Sequence, residues 1–241
     1  MQSEASRYFW YHCIELGGFV TDGDYDLRPL LPQYGFPEDM RGMRALDVGR
    51  GSGFFAFEFE RRGADVTATD LGSVLEWDFV GGSARAESEK FGDAAAWTDR
   101  YLTGAFHFAK RVLGSHVHDR IANVYDLTPE SVGTFDIVFA GSITSHLRDP
   151  ALAFERLRSV TRGKLILAAP SIIIPGAEHL PLMVLIGEAD ADRRSWWIMN
   201  ERGLVDLLKL SGFRTVEIVA RPALVNRRTG LEIPHLIAHA V

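Results

Sequence analysis

Arg44-Ala45-Leu46-Asp47-Val48-Gly49-Arg50-Gly51-Ser52-Gly53, followed by Phe54 to Gly63 and by Val66-Thr67-Ala68-Thr69-Asp70, decides the fold. Residues 44–48 are a short apolar run fit for a strand buried in a parallel sheet. The next five residues hold three glycines, which allow a sharp turn with positive φ and an approach that no Cβ obstructs. Phe54 to Arg62 has helical composition, with Arg61 and Arg62 in the last turn and Gly63 placed as a cap. Val66 to Thr69 is β-prone, and Asp70 closes it. Strand, glycine loop, helix, strand and acid make half of a doubly wound α/β sheet, with its binding crevice at the carboxyl ends of the strands.

The chemistry of that crevice follows from its parts. A helix amino end offers free N–H groups and a partial positive charge to a carboxylate or phosphate. An acid closing the next strand suits the two hydroxyls of a ribose. A ligand containing a nucleoside therefore fits. A nicotinamide-dinucleotide domain and a purely structural turn are the competing readings of the loop alone. The dinucleotide fingerprint G-x-G-x-x-G would place its third glycine at Phe54. The pattern is instead Asp47-x-Gly49-x-Gly51-x-Gly53, which resembles the first motif of the class I S-adenosylmethionine (SAM) methyltransferases. Asn123-Val124-Tyr125-Asp126, Phe135-Asp136-Ile137-Val138-Phe139 and Gly163-Lys164-Leu165-Ile166-Leu167 are similar to later segments of that family, in order.

The resemblance spans Arg41 to the carboxyl end. It implies a Rossmann-like α/β fold, a doubly wound seven-stranded sheet that is mostly parallel with one antiparallel strand. It also implies SAM as cofactor, S-adenosylhomocysteine (SAH) as product, and no metal. Carried over residue by residue, it assigns the cofactor to Asp47, Gly49, Arg50, Gly51, Gly53, Asp70, Leu71, Trp77, Tyr125, Asp126, Gly141 and Ser142. Asp126 is expected against the adenine amino group with Tyr125 beside the ring, and the 141–142 backbone near the amino-acid end. Trp77 either stacks on adenine or seals the crevice.

The 241 residues, 46% of them hydrophobic, suffice for one domain with a proper core. A net charge of -6 argues against broad attraction to nucleic acid. The one cysteine, Cys13, leaves no internal disulfide and fits a reducing cytosol. No apolar run approaches membrane-spanning length. Gln2 to Ser6 lacks the basic-then-apolar order of a signal peptide. The expectation is a soluble, cytoplasmic protein with a single methyltransferase domain over residues 1–241. Within it lie an N-terminal aromatic cap (1–43) and a core (44–241) with inserts near 78–103 and 171–197.

Arg7-Tyr8-Phe9-Trp10-Tyr11-His12 reads as a short aromatic helix, and Ile14 to Val20 alternates and bends at its glycines. The cap's aromatics are either core packing or a cover that supplies Tyr11, His12 or Tyr25 to the active site. Trp10-Tyr11-His12 and Ile14-Glu15-Leu16, with Leu46 to Glu58 and Glu60 to Ala64, resemble the tRNA wobble-uridine (mo5U34) methyltransferase-like group. Many members of that group act on small molecules. Its tRNA enzymes use carboxy-SAM and carry a tyrosine just before the histidine that follows the fourth strand. Here Ser145 precedes His146, which favours ordinary methyl transfer.

Further along, Gly81 to Thr103 suggests a helix that forms a lid, a substrate wall or a solvated surface. Thr103 to Leu113 is the next core helix, stopped by Gly114. His116-Val117-His118 lacks a third ligand at metal-site spacing and reads as exposed edge histidines. Ile121 to Val124, Phe135 to Ala140 and Leu165 to Ala169 are the third, fourth and fifth strands. Gly141 to Leu147 follows the fourth at the edge where chemistry is expected. His146 is the best single candidate for a general base, since histidine titrates near neutrality; the alternative is a histidine that braces the loop. Asp149-Pro150 starts a helix whose Arg156 and Arg158, with Arg162 and Lys164 beyond it, form a solvated basic face or an RNA patch. Met183, Leu185 and Ile186, in a segment that turns acidic at Glu188, Asp190 and Asp192, line an acceptor cavity or form a homodimer contact. Asn200 is an N-cap for Glu201 to Leu210, and Thr215 to Val219 pairs with Leu236 to Ala240.

The expected function is transfer of a methyl group from SAM to a small, partly aromatic or apolar acceptor, with His146, His12 and Tyr11 as catalytic candidates. A tRNA-modifying enzyme and a nonenzymatic SAM-binding protein are the alternatives.

Overall fold

Four apolar runs, at 44–48, 66–69, 135–140 and 165–169, become strands of one sheet in the computed structural model, which describes residues 1–79, 92–186 and 194–241. The chain opens with helix α1 (Gln2–Ala5) and a small hairpin of β1 (Glu15–Leu16) and β2 (Phe19–Val20). Then come β3 (Arg44–Val48), α2 (Phe54–Arg61), β4 (Asp65–Asp70), α3 (Ala94–Thr98), α4 (Gly104–Leu113) and β5 (His118–Ile121). These lead into α5 (Pro129–Val132), β6 (Phe135–Gly141), α6 (Pro150–Val160) and β7 (Thr161–Pro170). The last part holds β8 (Met183–Leu185), β9 (Trp197–Met199), α7 (Glu201–Leu210), β10 (Val216–Ala220), β11 (Ala223–Val225) and β12 (Glu232–Ala240).

The main sheet runs β10-β12-β7-β6-β3-β4-β5, with β11 paired to β12 off that path. β12 is antiparallel to both β7 and β10, and the remaining neighbours are parallel. This is the expected seven-stranded sheet with one reversed strand, extended by the short β11. Successive side chains point to opposite faces, which sorts the core into two layers. Ala45, Phe139, Ile166 and Ala168 pack on one face with Phe55 and Phe59 of α2 and Phe106 of α4. Leu46, Val138, Leu165 and Leu167 pack on the other with Phe154 of α6 and Leu204 of α7. Each of the buried Leu, Ile, Val and Phe side chains contributes about 1.5–3 kcal/mol, so helices on both faces clamp the sheet between them.

Several expectations are corrected. Residues 7–12 are not helical, and the helix ends at Ala5. Their backbone donors go to distant partners: Phe9 N–H to the Arg100 carbonyl at 2.8 Å and Tyr11 N–H to Ser52 Oγ at 2.9 Å. This path buries Trp10 in the core and turns Phe9 and Tyr11 to the crevice. The third strand is His118–Ile121, because Val124–Asp126 closes a 3-10 turn capped by the Asn123 side chain. The fifth strand begins earlier, at Thr161. Met183 and Leu185 sit on a β8–β9 hairpin, 45% and 56% exposed, and do not line the cavity. The helix expected in 81–103 falls partly outside the described residues; its described part is α3 and a π turn over Asp99–Thr103. Glu188, Asp190 and Asp192 also lie outside them. Among the described residues no helix is long and apolar enough to cross a membrane, and no cluster of three metal-ligating side chains occurs.

Candidate active site

β3, β4 and β6 end side by side, which brings Gly49, Asp70 and Gly141 to one edge of the sheet. Gly49 has φ 72°, and a Cβ there would stand 2.5 Å from Ile143 Cγ2. Gly53 has φ 92°, and a Cβ there would strike the Phe57 and Phe106 rings at 2.5 and 2.6 Å. Larger residues at either position would break the turn or the helix start. Asp70 ties the loop to β4: Gly51 N–H donates to its Oδ2 at 3.0 Å, and Leu71 N–H to its Oδ1 at 2.9 Å. Each carboxylate oxygen keeps acceptor capacity beyond those bonds.

A cavity of about 250 Å³ opens in front of this edge. Gly49, Gly51, Asp70, Leu71, Trp77, Tyr125, Gly141 and Ser142 line it, as do all three catalytic candidates, Tyr11, His12 and His146. Phe9 and Tyr101 add two further rings to the wall. Four residues assigned to the cofactor from the sequence are not on this wall. Gly53 lies behind it at the start of α2. Asp47 is 1% exposed beneath the loop, where it accepts a hydrogen bond from Ala56 N–H and burial pushes its pKa up to about 7. Arg50 turns its side chain to the far side of the loop, toward Asp119 and the Phe106 ring. Asp126 is exposed at the end of its 3-10 turn.

The carboxylate on the wall near Tyr125 is instead Asp78, which sequence reasoning missed. It accepts the Tyr125 hydroxyl at 2.5 Å and Arg148 N–H at 2.9 Å, and its carbonyl accepts the Trp196 indole N–H at 2.7 Å. Its one signal in the sequence is its place beside Trp77. The Trp77 ring is covered by the Arg194 guanidinium, 5.0 Å from its centroid.

The three catalytic candidates differ in their proton chemistry. His12 is buried, and burial lowers its pKa to about 3, so its ring is neutral at pH 7 and a weak base. A ring that resists protonation fits a wall of the cavity better than a proton acceptor. Burial raises the Tyr11 pKa first, with Tyr25 adding to it, although a hydrogen bond to Ser142 pulls the other way; the phenol stays protonated. His146 Nδ1 lies 2.7 Å from the Arg194 carbonyl. A carbonyl only accepts, so Nδ1 carries the hydrogen and Nε2 the basic lone pair. Ser142, with φ 56°, is the one non-glycine of positive φ among the described residues. Strain of that kind concentrates at functional positions.

Strand order and the reversed β12, with the glycine loop at the end of β3, make a Rossmann-like fold that solved structures of methyltransferases share. The N-terminal domain of EvdMO1, crystallised in the presence of SAH and D-fucose, matches 99% of this chain and 94% of its own with a TM-score of 0.66 at 18% identity. The Burkholderia thailandensis 1,6-didemethyltoxoflavin-N1-methyltransferase matches 90% of this chain and 80% of its own, with a TM-score of 0.55 at 18% identity. No family model matches the chain. The ubiquinone biosynthesis O-methyltransferase of Xanthomonas axonopodis pv. citri (strain 306) is 30% identical over 148 residues, 58% of this chain and 51% of that protein. The tRNA U34 carboxymethyltransferase of Idiomarina loihiensis is 27% identical over 189 residues, 76% of this chain and 49% of that protein. The chain spans about half the length of the curated relatives it matches.

Proposed function

We propose that the chain binds SAM in the cavity at the ends of β3, β4 and β6 and transfers its methyl group to a small, partly aromatic acceptor. The observation that carries this reading is one cavity lined both by glycine backbone with the Asp70 carboxylate and by the rings of Phe9, Tyr11, Tyr101 and Tyr125. The residues present fit the cofactor. The loop is bare where a Cβ would intrude, and Asp70 has acceptor capacity left for ribose hydroxyls. Gly49 and Gly51 hold the amino-acid end together with Gly141 and Ser142, and Leu71 and Trp77 flank the adenosine.

When bound, SAM supplies a methyl group already made electrophilic by its sulfonium. The protein's contribution is therefore alignment and exclusion of water. Tyr11 and His12 close the cavity from the cap side as uncharged groups. His146 Nε2 takes the proton of a hydroxyl acceptor as the new bond to carbon forms. An amine acceptor needs no such base.

The tRNA reading has its support in the relative that acts on U34. The helix proposed as an RNA patch speaks against it. Arg158 donates to the Gly212 and Thr161 carbonyls at 3.1 and 2.9 Å, and Arg162 pairs with Asp136 at 2.6 Å. Supply of labelled SAM to the protein with small-molecule extracts and, separately, with bulk tRNA tests the choice. Label in the small-molecule fraction supports the proposal, and label confined to tRNA overturns it.

A further inference from the structure

A charged cluster lies behind the glycine loop, outside the cavity wall. Arg50 occupies the first variable position between the loop glycines, and its side chain is 1% exposed. Its Nη1 stands 3.7 Å from Asp70 Oδ2 and its Nη2 3.2 Å from Asp119 Oδ1. The guanidinium carbon is 4.4 Å from the centroid of the Phe106 ring. Nε and Nη1 make no hydrogen bond among the described residues. Charge and the ring face therefore hold the guanidinium between two carboxylates. Burial of such a cation costs several kcal/mol, and a turn alone gives no reason for one at this position. Asp119 continues the chain outward, 2.7 Å from Nε2 of the half-exposed His107.

We propose that Arg50 is a positioning residue for cofactor binding, which keeps Asp70 ionised and aimed at the ribose hydroxyls, while Asp119 competes for its charge. This rests on the reading of the cavity as the SAM site. An ionised carboxylate accepts hydrogen bonds from both hydroxyls of a diol; a protonated one gives up charge and one acceptor position. Burial pushes Asp70 toward its protonated form, and Arg50 opposes that, with help from the Leu71 and Gly51 N–H groups. The other ionisable groups around the pair are Asp47 from β3, Asp119 from β5 and Glu76 on the cavity wall. Behind Asp119 stand His107 and Lys110 of α4. Among the described residues, Arg50 is the cation within ion-pair range of Asp70.

The test is calorimetric titration of the full chain with SAH from about pH 5 to about pH 8.5, to follow where affinity is lost as Asp70 takes up a proton. Arg50→Met moves that acid limb up by about 1–3 units and weakens binding at pH 7 by about tenfold or more. Arg50→Lys, which keeps the charge, recovers part of the loss. Asp119→Asn leaves Arg50 wholly to Asp70 and moves the limb down. Should Arg50→Met fail to fold, the opposed shifts of Arg50→Lys and Asp119→Asn carry the test. An acid limb that stays in place in the folded variants overturns this proposal alone. Wild-type protein that binds no SAH at any pH overturns the reading of the cavity and this inference with it.

Discussion

Ser142 Oγ lies 3.1 Å from Nε2 of His235, a residue 93 positions later in the chain. Nδ1 of His235 lies 2.9 Å from the Ile233 carbonyl, so Nδ1 carries the hydrogen and Nε2 accepts from the Ser142 hydroxyl. The Tyr11 phenol lies beside Ser142, whose interaction with it opposes the rise that burial gives the Tyr11 pKa. Two side chains, one from the loop after β6 and one from the reversed strand, thus fix one proton arrangement.

That arrangement predicts an unusual histidine. Burial lowers the His235 pKa, so its ring stays neutral below the ordinary value of 6.5, in the Nδ1–H form. Nitrogen NMR of the imidazole against pH checks this, and an Nε2–H form at neutral pH contradicts it. His235→Leu leaves a half-buried hydroxyl without its acceptor and costs about 1 kcal/mol in denaturant unfolding.

Two acids at the crevice are expected to part company. Asp70→Asn removes a charged acceptor on the cavity wall and weakens SAH binding by about 1.5–3 kcal/mol. Asp126→Asn alters an exposed side chain away from that wall and leaves SAH affinity as it was. Equal losses in the two variants, measured by calorimetry, contradict the placement.

His146 should act on chemistry and not on cofactor affinity. With a hydroxyl acceptor, His146→Gln lowers kcat by about 10²–10⁴-fold and removes the acid limb of the pH–rate profile, while SAH still binds. A variant that keeps full kcat and the same profile limits the histidine to bracing the loop through the Arg194 carbonyl.

Asp47 makes a prediction about stability. Its folded pKa of about 7 lies above the ordinary 3.8. A raised value means that folding favours the protonated form. Its stabilisation is full below 3.8 and is lost as pH rises through about 7. Asp47→Asn is neutral throughout and flattens that fall. Thermal melts of both proteins between about pH 4 and pH 8 give the comparison, and parallel curves contradict it.

The parts legible in the sequence were those whose reasons are local. Gly49, Gly51 and Gly53 announce a turn by their own conformational needs, and Asp70 is located by the strand that it ends. Asn200 and Asp149 mark helix starts by cap chemistry. What was not legible depends on distant partners. Residues 7–12 have helical-looking composition, but their donors are spent on Ser52 and Arg100. Asp126 falls away from the cavity wall because the strand before it ends three residues early, while Asp78 stands on that wall. Arg50 reads from the motif as a cofactor contact, and only the fold brings Asp119 and Phe106 around it. The bond between Ser142 and His235 leaves no trace in either neighbourhood.

The central claim is that the glycine loop and Asp70 hold opposite ends of one SAM molecule. A crystal structure of the chain with SAH tests it most directly. The account predicts ribose hydroxyls on the Asp70 carboxylate, the amino-acid end against Gly49 and Gly51, and the sulfur facing Tyr11 and His146. SAH bound elsewhere, or with its sugar turned away from Asp70, would contradict it.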